Sequence, residues 1–357
     1  MWYQNAVTES LSIKYPIIQA GMAGGITTPQ LVASVSNSSG LGTLGAGYMS
    51  VDELQETIKQ VKKQTDHPFG VNLFIPEIPG YTNEQVDRMQ KVLEPFKQEM
   101  DLVTEGKYLQ KQRDFEKQIE SVIEESVPVC SFTFGAPSKE IMKEFKKEGI
   151  KVIGTATTVE EALLNQECGV DLIVAQGSEA GGHRGSFVGA YEESMIGTFS
   201  LIPQVVDAVE LPVIAAGGIM DGRGMIAALA LGAKGVQMGT AFLTVKESGA
   251  KNIHKNAIFH ADETSTTITS AFSGKPARGI SNNFTRAMKE YENQLLPYPI
   301  QNDLTKEIRK EAANRNNKEL MSLWSGQTPR LSKDVHVNEL IDSIMKEVDE
   351  GIQKLTR

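Results

Sequence analysis

Cysteine is scarce. Cys130 and Cys168 are the two in 357 residues, and neither has a second thiol or a histidine at metal-ligand spacing. A disulfide scaffold and a metal site are therefore not expected. Long apolar runs are missing too, since no stretch reaches the roughly 18 uninterrupted apolar residues that a membrane helix needs. The opening Met1-Trp-Tyr-Gln-Asn5 lacks the charged-then-apolar order of an export signal, so the expectation is a cytoplasmic protein without a membrane partner. Positive charge is in deficit, with 36 Lys and Arg against 45 Asp and Glu and a net charge of −9. Nucleic acid is set aside as a partner, because its phosphates are gripped by clustered Lys and Arg. No internal repeat or low-complexity tract stands out.

What is present is alternation. Short runs rich in Val, Ile and small residues recur at 16–23, 41–47, 69–74, 128–135, 151–158, 170–177, 212–219 and 235–243. Each ends in glycine or a polar turn. Segments of helical period lie between them at 28–37, 51–64, 138–147, 159–167, 202–209 and 221–231, most opening on Ser, Thr or Asp as an N-cap. Eight such alternations predict an α/β fold, a closed (β/α)8 TIM barrel. The connection 76–127 is too long for a simple crossover and reads as a helical insertion. We expect the barrel to span 1–245 and a helical cap or small domain to occupy 246–357.

Catalytic groups of such a barrel sit at the C-terminal ends of its strands. The most unusual end is Gln176-Gly-Ser-Glu-Ala-Gly-Gly-His-Arg-Gly185, where four glycines let backbone approach a ligand and His183 stands among them. A flexible turn with a solvated histidine is the plain alternative. At two later ends, Ala216-Gly-Gly-Ile219 and Gln237-Met-Gly-Thr240, backbone N–H groups of Gly217, Gly218, Gly239 and Thr240 are expected to converge on a phosphate. Simple strand-to-helix packing would also use glycine there. Gly40-Leu-Gly-Thr-Leu-Gly45 matches G-x-G-x-x-G but precedes no helix, since 41–47 is itself the strand, so a dinucleotide fold is rejected. Asn72 interrupts an apolar strand and must find hydrogen-bond partners. Met22, after the first strand, suits a flat ring lying over backbone.

These stretches together resemble the bacterial nitronate monooxygenases, formerly called 2-nitropropane dioxygenases. The resemblance rests on Pro16-Ile-Ile-Gln-Ala-Gly-Met-Ala-Gly24, Leu41-Gly-Thr-Leu-Gly-Ala-Gly47, Phe69-Gly-Val-Asn-Leu-Phe74, Ser131-Phe-Thr-Phe-Gly135 and Gln176 to Gly185. Ala215-Ala-Gly-Gly218 and Gln237-Met-Gly-Thr240 support it, and Trp324-Ser-Gly-Gln327 does so more loosely. It implies FMN as cofactor, contacted by Met22, Asn72, Gln176, Gly181, Gly182, Gly217, Gly218, Gln237, Met238, Gly239 and Thr240. It also implies a catalytic His183 on the substrate side, with a nitronate or nitroalkane and molecular oxygen as partners. The implied reaction yields a carbonyl compound and nitrite. A homo-oligomer is compatible with the sequence. The loop Met22 to Thr28 carries one residue more than the family's pattern leads us to expect. An FMN-dependent enoyl-acyl carrier protein reductase resembles the same barrel and is the rival, and a flavin-binding protein without turnover is a third reading.

Overall fold

The computed structural model describes residues 1–103 and 114–355. Its strands are β1 (Ile17–Gln19), β2 (Gly42–Gly45), β3 (Phe69–Phe74), β4 (Val129–Thr133), β5 (Lys151–Ala156), β6 (Leu172–Gln176), β7 (Gly182–His183), β8 (Val213–Ala216), β9 (Gly235–Met238), β10 (Thr266–Thr269) and β11 (Ala277–Ile280). Among the described residues eight of them form one parallel sheet in the order β1-β9-β8-β6-β5-β4-β3-β2. The sheet closes through a parallel bridge between Ile18 and Leu41. Beside this bridge Gln19, fully buried, accepts from Thr43 N at 3.0 Å and donates to Thr43 O at 3.1 Å. Its carboxamide thus supplies the two bonds that a peptide would supply, and the shortest seam of the barrel is sealed.

The helices are α1 (Ala6–Leu11), α2 (Pro29–Asn37), α3 (Val51–Lys62), α4 (Asn83–Glu99), α5 (Phe115–Glu124), α6 (Lys139–Lys147), α7 (Val159–Cys168), α8 (Thr198–Ala208), α9 (Gly222–Ala230), α10 (Thr240–Leu243), α11 (Asn252–Phe259), α12 (Asn283–Met288), α13 (Ile300–Asn314) and α14 (Val337–Leu355). Thr28, Ser50, Ser138, Thr158 and Asp221 each cap the helix that follows with a side-chain oxygen. One cap contributes about 1 kcal/mol. The fifth expected helix of the outer ring starts earlier than the pattern at 202–209 suggests. Its first residue, Thr198, gives its N–H to the Glu179 carboxylate at 2.8 Å, so the cap comes from a distant loop.

The two ends of the barrel differ. Val7 and Leu11 of α1 pack with Ile18, Leu41, Val174 and Ile214 in the interior, which closes the N-terminal end. The C-terminal end stays open to the loops. Of the long connection 76–127, residues 104–113 lie outside the described residues. Its α5 packs in the outer layer beside α3, whereas α4 joins a second apolar cluster through Val86, Met89 and Leu93. That cluster holds Phe272, Phe284, Ile300, Leu304 and Ile308 and roofs the open end. The last helix, α14, returns to the barrel and buries Val337, Leu340, Ile341, Ile344 and Val348 in the main cluster.

Two segments of the roof are pinned together at α11. His254, 5% exposed, donates from Nε2 to Trp324 O at 3.0 Å. Burial holds its imidazole down at about 4, against 6.5 for an ordinary histidine. An unfolded chain therefore binds a proton at this residue that the fold rejects, so its contribution is complete above pH 6.5 and is lost as pH falls towards about 4. We expect the melting temperature to rise between pH 4.5 and 6.5. In His254→Asn that slope should flatten, and an unchanged slope by calorimetry would contradict the assignment.

Candidate active site

The open end of the barrel forms a cavity whose wall takes one or more residues from nearly every strand end. Met22, Asn72, Gln176, Gly181, Gly182, His183, Gln237, Gly239 and Thr240 all line it, joined by Tyr48, Phe74, Phe134 and Trp324. Three of the expected contact residues stand elsewhere. The Met238 side chain is buried in the main apolar cluster, and its carbonyl accepts from Ala20 N at 2.9 Å. Gly217 and Gly218 have φ of +116° and +70°, which glycine alone adopts without strain. Gly218 lines a neighbouring hollow with Asp221, Arg223, Thr328 and Arg330 instead. In the first loop Gly24 and Gly25 are exposed, while Met22 and Ala23 line the wall.

The polar residues are held by their neighbours. Asn72 lies beside Ser131 in the β3–β4 register and donates to Ser131 Oγ at 3.0 Å and Thr133 Oγ1 at 3.1 Å. Its buried amide is thereby satisfied through nitrogen, and among the described residues its oxygen has no protein donor. Gln176 accepts from Arg184 Nη1 at 3.0 Å and Gly185 N at 2.8 Å, and donates to His183 O at 3.2 Å. Arg184 is fully buried and reaches Gly177 O, Gln176 O and Ser194 O as well. Burial draws its guanidinium down to about 10, which still leaves it charged at neutral pH. The glycine-rich loop is thus nailed from inside and is not a flexible turn.

His183 is placed by a second sheet, in the order β10-β11-β7. There His183 pairs with Ala277 and Gly182 with Arg278, antiparallel. The alternative of a solvated histidine does not hold, since the structure packs the imidazole among Trp324, Phe134 and Tyr298 at centroid distances of 5.5, 5.7 and 6.2 Å. Phe134 reaches inward from a backbone at φ +73°, a strained setting of the kind found at functional sites. Lys275 stands over the Phe134 ring at 4.6 Å and pairs with Glu77. Burial first, then the charges of Arg309 and Lys275, push the His183 imidazole down to about 3, so it is neutral at physiological pH. Phe134, Ser273, Lys275, Tyr298 and Arg309 were not assigned roles from sequence. Ser131-Phe-Thr-Phe-Gly135 stood out in the sequence, whereas the convergence of Phe134 with Ser273 and Lys275 depends on the roof.

The cavity accepts a flat heteroaromatic ring. A methyl group added at Gly239 would meet nothing nearer than Ala20 Cβ at 3.8 Å and Met22 Sδ at 3.9 Å, so a thin slot opens in front of this residue. Asn72 and Gln176 offer polar edges to such a ring. Thr240 Oγ1 already accepts from Gly326 N at 2.8 Å, which leaves its proton for an anionic oxygen. Among the described residues no cluster of His, Cys, Asp and Glu could hold a metal ion, and no helix is long and apolar enough to cross a membrane.

Comparison with known proteins agrees with this geometry. The family model for nitronate monooxygenase matches residues 4–347. A probable nitronate monooxygenase of Staphylococcus haemolyticus is 54% identical over 350 residues, covering 98% of each chain. Nitroalkane oxidase from Streptomyces ansochromogenes has a solved structure with a TM-score of 0.90 and 36% identity, covering 98% of this chain and 100% of that one. FabK from Thermotoga maritima follows with a TM-score of 0.78 and 33% identity, over 99% of this chain and 98% of its own. The chain belongs to the nitronate monooxygenase family and is accordingly a flavin-dependent oxidoreductase.

Proposed function

We propose that the protein binds FMN in the cavity and oxidises alkyl nitronates with molecular oxygen, giving a carbonyl compound and nitrite. The observation that carries this reading is His183: a neutral imidazole beside a glycine-lined slot, within the field of two cations. FMN, when bound, supplies the electron acceptor that the side chains themselves lack. Met22, Gly181, Gly182, Gln237 and Gly239 would give it thin walls, Asn72 and Gln176 would meet its polar edge, and Thr240 its phosphate side. Gly217, Gly218 and Met238 would contribute through backbone alone.

The chain's own groups have separate tasks. Arg309 and Lys275 attract a nitronate, which is an anion. Burial, reinforced by the same charges, keeps His183 unprotonated and so able to accept a proton from the α-carbon of a neutral nitroalkane. Once that carbon becomes an anion its charge opposes the two cations, and the imidazole holds the proton more firmly. Phe134, Tyr298 and Trp324 exclude bulk water from the exchange.

The likeness to FabK keeps the FMN-dependent enoyl-acyl carrier protein reductase as the second reading. Oxygen uptake driven by a nitronate without NADH supports the first reading, and consumption of NADH with an enoyl thioester supports the second. Neither activity in flavin-loaded protein would point to a binder without turnover. We expect the purified protein to hold about one FMN per chain, and FAD on extraction would refute that cofactor. Gly239→Ala should fold normally and bind FMN more weakly, because its methyl group fills the slot; unchanged affinity by flavin fluorescence would place the ring elsewhere. His183→Asn should keep FMN and lose about 10²-fold or more on neutral nitroalkanes, the usual scale for a general base. Preformed nitronates should suffer less, and equal small losses in steady-state kinetics would make His183 structural.

A further inference from the structure

The two ring nitrogens of His183 are not equivalent. Nε2 lies 2.8 Å from Ser273 Oγ, and Ser273 is 1% exposed. The same hydroxyl stands 3.0 Å from Lys275 O and 3.3 Å from Lys275 N. A serine oxygen has one proton to give and two lone pairs to fill. Lys275 N–H can only donate, so it takes one lone pair. Lys275 O can only accept, so it takes the proton. The remaining lone pair faces the imidazole, which must therefore donate from Nε2. The opposite arrangement would turn the hydroxyl away from a buried carbonyl. Among the described residues Nδ1 has no protein hydrogen bond.

We infer that Ser273 is a positioning residue that holds His183 with its proton on Nε2, leaving Nδ1 as the atom that takes a proton from substrate. The inference rests on the proposed role of His183 as proton acceptor. The bond also persists after the transfer, because an imidazolium still donates from Nε2 to Ser273 Oγ. That stabilises the charged ring against the groups that face it unfavourably, Lys275 beside β11 and Arg309 on α13, while Glu77 partly neutralises Lys275. The phenol of Tyr298 and the indole of Trp324 are neutral neighbours. A side chain that only filled space would fix neither the tautomer nor the proton affinity of the ring.

The test uses FMN-loaded full-length protein labelled with 15N-histidine, with the His183 signals assigned by their loss in His183→Asn. Wild type should show a protonated Nε2 and a bare Nδ1 at pH 7, and the reverse pattern would overturn the inference. Ser273→Ala should give a mixture of tautomers and retain FMN. Its kcat/KM for a neutral nitroalkane should fall about tenfold or more, with the limb that reports His183 moved to lower pH, while nitronate oxidation stays within about twofold. Ser273→Thr, which keeps the hydroxyl, should restore both tautomer and profile. A single Nε2–H tautomer persisting in Ser273→Ala would also overturn it. Wild type that oxidises no nitronate would instead defeat the function proposed above, and the tautomer measurement would still judge Ser273.

Discussion

Two antiparallel pairs, His183 with Ala277 and Gly182 with Arg278, hold the site together. They tie a loop of the barrel to the roof, and without them the imidazole would have neither its hydroxyl partner nor its aromatic neighbours. The pairing continues outward, since Gly279 bridges to Trp324 and Ser325 N donates to Arg278 O at 3.3 Å. One strand, β11, thus aligns residues from three distant stretches of chain. Gly181 shows how close the approach is: a Cβ there would stand 2.4 Å from Gly326 N. Glycine at this position is a packing requirement, whatever ligand it also faces.

Charge is managed in the same region by burial and by pairing. Arg184 spends both Nη groups on carbonyls and on Gln176, so the loop carrying His183 is held in place while its cation remains inside. Glu161, also fully buried, accepts from Phe187 N, Val188 N and Thr157 and secures the far side of that loop. Removing one partner from such a network leaves the other buried and unsatisfied, which costs more than the bond itself contributed. The surroundings therefore favour a neutral His183, and two nearby cations reinforce the preference. An anionic substrate reverses that balance locally. Binding and proton affinity are coupled through the same few charges.

The barrel decides which of its ends does chemistry. Parallel strands deliver all their C-terminal loops to one side, and α1 fills the other with Val7 and Leu11. A roof made from α4 and the segments after β9 then covers the open side. Its apolar cluster is separate from that of the barrel, and the two are joined by the short second sheet and by a small apolar cluster of Leu243, Ala250 and Ile258 with Met22, Ile26 and Ile280.

Much of this was written locally in the chain. Strand positions followed from runs of Val and Ile ending in glycine, and helix starts from Ser, Thr and Asp caps, because both are set by contacts within a few residues. The cavity residues Met22, Asn72, Gln176 and His183 were legible for the same reason: a polar or glycine-rich break at a strand end faces the open side of a barrel. Tertiary structure alone decided the rest. Gln19 reads as an ordinary strand residue, yet it seals the seam, since its partner Thr43 is brought beside it only by barrel closure. Gly217 and Gly218 read as a phosphate grip, and their backbone angles show a conformational need that a one-dimensional pattern cannot separate from binding. His183, Ser273, Phe134 and Trp324 are up to 190 residues apart, and no periodicity links them. They meet because a cap strand pairs with a barrel loop, and such pairing depends on the whole chain having folded.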